Sequence, residues 1–301
     1  MTDPLVSPDP RPLGQSGIGV SPLAWGMWRF AGRPVAEARA LVEAAFAAGI
    51  TLFDTADVYG VDGPGFGEAE RLLGQVLAEA PALRERMVLA TKGGIAPSVP
   101  YDSGADYLTA ALDASLARLG VERVELYQIH RPDILTHPQE MARTLDNLVA
   151  SGKVGAIGVS NYTRHQTTAL QSFLSAPLAS IQPEFSPLHL GPMHDGLFDL
   201  AMERDLAVLA WSPLGGGRLG SPADPRAQAV ADALDHRARD SGVSRAAVAY
   251  SWMIAHPARP IPIVGTQRAW RLAEAADAFK VQWTRAQWYE VLVAARGELL
   301  P

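Results

Sequence analysis

Apolar residues fall along the chain in short runs separated by longer stretches of mixed character. The runs include Leu52-Phe53, Val88 to Ala90, Leu126 to Ile129, Ala156 to Val159, Val208 to Trp211 and Ile261 to Val264. Several are apolar throughout instead of alternating, which is how a strand covered on both faces reads. Between them the apolar positions repeat with helical period. Ala38, Leu41, Val42, Ala45 and Phe46 share one face, as do Leu108, Ala111, Leu112, Ser115, Leu116 and Leu119, and a third set is Met141, Leu145, Leu148 and Val149. Gly49, Gly120 and Gly152 stand where these helices should end. Strand followed by helix recurs about eight times from Pro22-Leu23-Ala24 onward. That order implies parallel strands with right-handed crossovers, and eight units favour closure into a (β/α)8 TIM barrel. Ahead of it, Arg11 to Val20 carries Gly14, Gly17 and Gly19 and reads as a short N-terminal hairpin across the barrel bottom.

Length suits this α/β architecture: the 301 residues match a barrel of about 250 residues plus loops. Neither a linker-like composition shift nor a low-complexity tract divides them, so one domain spanning 1–301 is expected. The chain is 48% hydrophobic and 19% charged, a composition able to bury a large core. A net charge of −6 gives no basic field, which argues against nucleic acid and anionic membrane as partners. The absence of cysteine removes disulfides, thiol catalysis and Cys-based metal sites, and fits a reducing cytoplasm. The opening residues MTDPLVSPDP lack a basic and apolar leader pattern, so a cytoplasmic protein is expected, and with no exposed apolar stripe evident from spacing a monomer is expected.

Active sites of such barrels lie where the strands end. Polar residues closing the apolar runs are therefore the candidates: Asp54, Lys92, His130, Ser160 with Asn161, Gln182 and Ser212, joined by Tyr59 five residues beyond Asp54. Each alone has a plain structural explanation. An aspartate caps helices, a lone histidine is often a satisfied polar group, and a tyrosine packs in cores. Four titratable side chains converging on one mouth favour a functional cluster instead. A tyrosine hydroxyl titrates near 10, and a neighbouring ammonium lowers that value. Lys92, held by Asp54, can play this part for Tyr59, and a neutral His130 can orient a substrate oxygen. The set suits protonation of a carbonyl oxygen while hydride reaches the carbon, and the hydride must come from a cofactor.

The segment GITLFDTADVYG at Gly49 to Gly60 resembles the signature of the aldo-keto reductases. The resemblance continues through RPLGQSGIGVSPLAWGMW (Arg11 to Trp28), ATKGG (Ala90 to Gly94), YQIHRPD (Tyr127 to Asp133), SGKVGAIGVSNY (Ser151 to Tyr162) and WSPLGGG (Trp211 to Gly217). It implies a (β/α)8 barrel using NADPH/NADP+, with NADH an option. By resemblance the catalytic four are Asp54, Tyr59, Lys92 and His130. The nicotinamide amide falls to Ser160, Asn161 and Gln182, and its ring to Trp211. Gly26, Met27 and Trp28 resemble the first strand's cofactor and pocket contacts. Ser212, Pro213, Leu214, Gly215, Gly217 and Arg218 belong to the loop expected over the pyrophosphate. Gly265, Thr266, Gln267, Arg268, Arg271 and Glu274 stand where the family holds the adenosine 2′-phosphate, a helix start suited to an anion. Gly265 replaces a lysine and Ala275 an asparagine that many members carry.

GGGRLG at Gly215 to Gly220 matches a dinucleotide fingerprint by letter, but Pro222 and Pro225 follow where a helix should continue, so it reads as a loop. His189 and His194 are five apart around Gly191-Pro192, and no metal site is expected. His236 to Asp240 reads as a solvated helix face. The small-molecule carbonyl substrate is expected against Trp28, Tyr59, His130 and Arg131, with Trp25, Phe30, Tyr101 and Phe185 as further candidates. Two other activities remain open: Schiff-base lyase chemistry on Lys92, and a redox-sensing cofactor-binding subunit with little turnover.

Overall fold

The computed structural model describes residues 6–300. The first five of the ten residues read for a leader lie outside them. Strands β1 (Arg11–Pro12) and β2 (Gly19–Val20) form an antiparallel hairpin, pairing Arg11 with Val20 and Pro12 with Gly19. Eight parallel strands follow and close into a barrel. They are β3 (Ala24–Gly26), β4 (Leu52–Asp54), β5 (Val88–Gly93), β6 (Val124–Ile129), β7 (Val154–Ser160), β8 (Ser180–Gln182), β9 (Ala207–Ala210) and β10 (Ile261–Val264). The ring is sealed by β10 beside β3, where Ile263 pairs with Ala24 and Val264 with Trp25.

Helices α1 (Val35–Ala47), α2 (Glu68–Glu79), α3 (Ala82–Glu85), α4 (Ala105–Leu119), α5 (Pro138–Ala150), α6 (Arg164–Gln171) and α7 (Leu197–Arg204) fill the connections as far as β9. Then come α8 (Pro225–Ser241) and α9 (Arg245–Ile254), and after β10 the pair α10 (Ala269–Ala276) and α11 (Arg285–Arg296). Local chemistry sets their ends. Thr163 with Gln166, and Thr284 with Gln287, form capping boxes that satisfy first-turn amides of α6 and α11. Pro225 opens α8 behind the Asp224 cap, where its missing N–H costs nothing. The glycines at 49, 120 and 152 all take positive φ just beyond their helices, as the sequence predicts.

The hairpin closes the barrel bottom. Leu13 and Val20 pack on the inward residues Ala24, Leu52, Ala90, Leu126 and Leu209. A Cβ at Gly14 would overlap the Ala179 carbonyl, so only glycine lets the hairpin sit this close. Outward-facing strand residues pack under the helices in a second, larger core that includes Trp25, Phe53, Leu89, Tyr127 and Ile157. At about 25 cal/mol per Å² of apolar area, this double-sided burial is the main stabilising term. With the bottom closed, the polar residues that end the strands are left facing the other end. No helix among the described residues is long and apolar enough to cross a membrane.

Candidate active site

Strand register gathers the candidates. Gly26 lies opposite Asp54, Lys92 opposite Gln128, and Ser160 opposite Gln182. Lys92 is fully buried and its Nζ donates to Asp54 Oδ2 at 2.7 Å, to the Thr55 carbonyl at 2.9 Å and to the Tyr59 hydroxyl at 3.1 Å. The other Asp54 oxygen accepts from Gln128 Nε2 at 3.2 Å and Gln182 Nε2 at 3.0 Å. Three donors thus hold the buried carboxylate in one orientation. The Tyr59 ring stands edge-on to Trp28 at 5.0 Å and to His130 at 5.8 Å. The His130 imidazole lines the cavity and makes no hydrogen bond to a described residue; its Nδ1 is buried.

Charge states follow from burial and neighbours. Burial works against the Lys92 ammonium, but Asp54 and then Tyr59 outweigh it, and the lysine titrates above its ordinary value. Burial, followed by the positive charges of Lys92 and Arg131, pulls His130 well below its ordinary value, so the imidazole is neutral. Tyr59 departs from the sequence expectation. Burial raises it, Lys92 lowers it and Asp54 raises it again, and the net direction is upward. The ammonium is largely neutralised by the carboxylate it grips, so desolvation of the tyrosinate wins. Tyr59 therefore keeps its proton throughout the physiological range.

A cavity of about 930 Å³ opens over this cluster. Its lining includes Gly26, Trp28, Asp54, Tyr59, His130, Arg131, Ser160, Asn161, Gln182, Trp211, Ser212, Pro213, Leu214, Gly217, Gly265, Thr266, Arg271 and Glu274, all anticipated from sequence. Trp211 is fixed through Nε1 donating to Asn161 Oδ1 at 3.0 Å, and Asn161 Nδ2 donates to the His130 carbonyl at 3.1 Å. Asn161 and Ser212 sit in the left-handed region, at φ 60° and 51°, a conformation that costs energy and clusters at working sites. A Cβ added at Gly216, Gly217 or Gly265 would meet nothing within 4 Å. The glycine loop thus leaves backbone open to a bulky anion, with Thr266 and Arg271 facing it across the cavity. Such a wall, ending at one side in a fixed indole and at the other in hydroxyl and guanidinium groups, fits a phosphorylated dinucleotide.

Several expected residues are placed elsewhere. Trp25, Phe30 and Phe185 are fully buried in the outer core and do not line the cavity. Ala24 and Gly26 point into the barrel, so Trp25 between them must point out; its Nε1 donates to the Thr266 carbonyl. Tyr101 is exposed and away from the cavity lining. Met27 is buried in the outer core. Arg218 Nε turns back onto the Gly215 carbonyl, Gly215 faces Leu188, Gln267 Nε2 donates to the Gly26 carbonyl, and Arg268 precedes α10 with its side chain exposed and making no cap bond; none of these four lines the cavity. Sequence reasoning also missed residues. Gln128 bridges Asp54 and Gln182, and its signal was a polar residue inside an apolar run. Asp235, Arg245 and Tyr250 wall the far end of the cavity, brought there by α8 and α9, and no local pattern marks them. The GGGRLG segment forms a single 3₁₀ turn over Gly215–Gly217, a loop as expected.

Comparison with known proteins agrees with this geometry. The profile of the Aldo/keto reductase family matches residues 22–292. A 6-dehydroglucose reductase of Novosphingobium aromaticivorans is 60% identical, covering 100% of both chains. A 6-dehydroglucose reductase of Agrobacterium fabrum is 39% identical over 93% of this chain and 96% of its own. Among solved structures, a thermostable aldo-keto reductase in complex with the inhibitor epalrestat superposes with a TM-score of 0.81 at 23% identity, covering 95% of this chain and 99% of that one, which shows a shared fold. A closed eight-stranded barrel, a family profile spanning most of the chain and a full-length relative at 60% identity together establish that this protein belongs to the aldo/keto reductase family.

Proposed function

We propose that this oxidoreductase uses NADPH to reduce the aldehyde of a sugar of the 6-dehydroglucose type, with Tyr59 as general acid. The observation that carries the reading is the Tyr59 hydroxyl, held 3.1 Å from a buried ammonium beside a neutral His130 whose imidazole has no partner among the described residues. The substrate class rests on two relatives that carry the name 6-dehydroglucose reductase. Asp54, Ser160, Asn161, Gln182 and Trp211 would hold the nicotinamide end of the cofactor. Arg271 and Thr266 would hold the 2′-phosphate that distinguishes NADPH from NADH, with Glu274 beside them. When bound, the cofactor supplies the hydride.

The chain's own groups then do three things. His130 donates a hydrogen bond to the carbonyl oxygen and fixes its direction, while Trp28 and Arg131 position the rest of the substrate. Tyr59 passes its proton to that oxygen as the carbon receives hydride, so the C=O becomes CH–OH. Lys92 stabilises the tyrosinate left behind until solvent restores the proton. The Schiff-base alternative needs a neutral amine, whereas Asp54 holds Lys92 charged.

The test follows NADPH absorbance with 6-dehydroglucose, and with para-nitrobenzaldehyde as a general carbonyl. Tyr59→Phe should lower turnover by about 10²- to 10⁴-fold and leave NADPH affinity within about twofold. Equal turnover in the variant removes Tyr59 as the acid. Turnover with the nitrobenzaldehyde alone removes the sugar assignment.

A further inference from the structure

A second cavity, of about 720 Å³, lies beside the N-terminal hairpin. Its walls come from the residues leading into the hairpin, from the segment between α9 and β10, and from α11. Three arginines face it: Arg11, Arg259 and Arg285. None of them forms an ion pair with a described residue. Arg11 is only 7% exposed. Its Nη1 donates to the Arg259 carbonyl, and its buried Nε has no partner among the described residues.

A buried guanidinium without a counter-charge is expensive to maintain. Burial, and then the like charge of Arg259, pull Arg11 down to about 9. Arg259 itself sits at φ 47°, a left-handed conformation that a β-carbon disfavours. One carboxylate, Asp9, also lines the cavity; its Oδ2 accepts from Ser7 Oγ at 2.6 Å. Among the described lining residues, three guanidinium groups thus face one carboxylate. His256 adds no charge, because burial lowers it to about 4. The α11 wall, which begins with Arg285, is otherwise apolar and aromatic, formed by Trp288, Tyr289 and Leu292.

We propose that this cavity binds a small organic anion, a carboxylate or a phosphate ester carried on an apolar body. The guanidinium forks match the planar oxygens of either group, and the aromatic wall matches the body. The site shares no lining residue with the cavity over Tyr59, so it is independent of the reaction assigned there.

Calorimetric titration of the full chain with phenyl phosphate and with benzoate tests this, and their ratio separates the phosphate from the carboxylate source. Saturable binding of at least one is expected, together with a change in tryptophan fluorescence from Trp288. Arg285→Glu, at an exposed helix start, should weaken binding by about tenfold or more and leave carbonyl reduction unchanged. Arg11→Met should weaken it likewise; should that variant fail to fold, Arg285→Glu decides. Three results each overturn the proposal: no saturable binding by the parent protein, undiminished binding by Arg285→Glu, or inorganic phosphate binding as tightly as phenyl phosphate.

Discussion

The two single breaks of the Lys92–Asp54 pair should together cost more than replacing both partners at once. The two charges meet at 2.7 Å and are 0% and 2% exposed. Lys92→Met leaves Asp54 with only the Gln128 and Gln182 amides. Asp54→Asn leaves a buried ammonium with neutral acceptors only, the Thr55 carbonyl, the Tyr59 hydroxyl and the new amide oxygen. Removal of one member of a buried pair costs roughly 3–5 kcal/mol, because the survivor stays desolvated and unpaired. Against a total stability of about 5–15 kcal/mol, either change consumes a large share. The double variant Asp54→Asn/Lys92→Met has no stranded charge. Its cost should fall short of the summed singles by about 2–3 kcal/mol, at the upper end of couplings seen for contacting residues. Urea unfolding of all four proteins measures this through the midpoints at constant slope. Turnover should be lost in all three variants, so stability and activity separate in the double. Additivity within about 0.5 kcal/mol would refute the claim that the pair, and not two independent groups, is what the fold accommodates.

Asp57, buried with both oxygens lacking a described partner, is raised to about 8, first by burial and then by Glu70, against the opposing charges of Arg118 and Lys92. In the folded protein it thus binds a proton that the unfolded chain releases near 4, so stability falls as pH rises from about 4 to 8, by up to about 1.4 kcal/mol per unit. Asp57→Asn should flatten that fall, and thermal melts at pH 5 and pH 9 check it: a Tm difference between the two pH values that survives the change rules the group out. Gly74 in α2 faces the Arg118 carbonyl of α4, and an added Cβ would come within 2.2 Å of it. Gly74→Ala gains about 1 kcal/mol of helix propensity and loses about 1–3 kcal/mol to overpacking, so a net fall in Tm is expected; a rise would show that the helices separate freely.

Much of the barrel is readable in the sequence because two-sided burial writes itself as uninterrupted apolar runs. The site is readable for the complementary reason. A polar residue that ends such a run, as Asp54, Ser160 and Gln182 do, has nowhere to go but the open face. Direction is harder. The aromatic residues Trp25, Phe30 and Phe185 fit a pocket by composition, and only strand parity, with Ala24 and Gly26 turned inward, sends Trp25 under the helices. The far wall of the cavity was illegible for another reason. Asp235 and Arg245 stand ten residues apart with nothing in the sequence to pair them, and only the packing of α8 and α9 brings them into an ion pair and Arg245 onto the Leu219 carbonyl of the loop after β9. The sign of the Tyr59 shift likewise required the whole local charge balance, since Lys92 alone predicts the opposite.

The seam between β3 and β10 has a consequence for synthesis. Trp25 Nε1 donates to Thr266, 241 residues later. At ribosomal rates of about 5–20 residues per second, the first strand waits on the order of ten to fifty seconds for its neighbour. Any sheet that forms in that interval is open, with two unpaired edges exposed to other strands. The waiting edge is only three residues long and follows Pro22, which offers no amide to a wrong partner. Closure is a long-range contact of the kind that slows folding. The shortness of β3 therefore protects the chain from aggregation while the ring is incomplete.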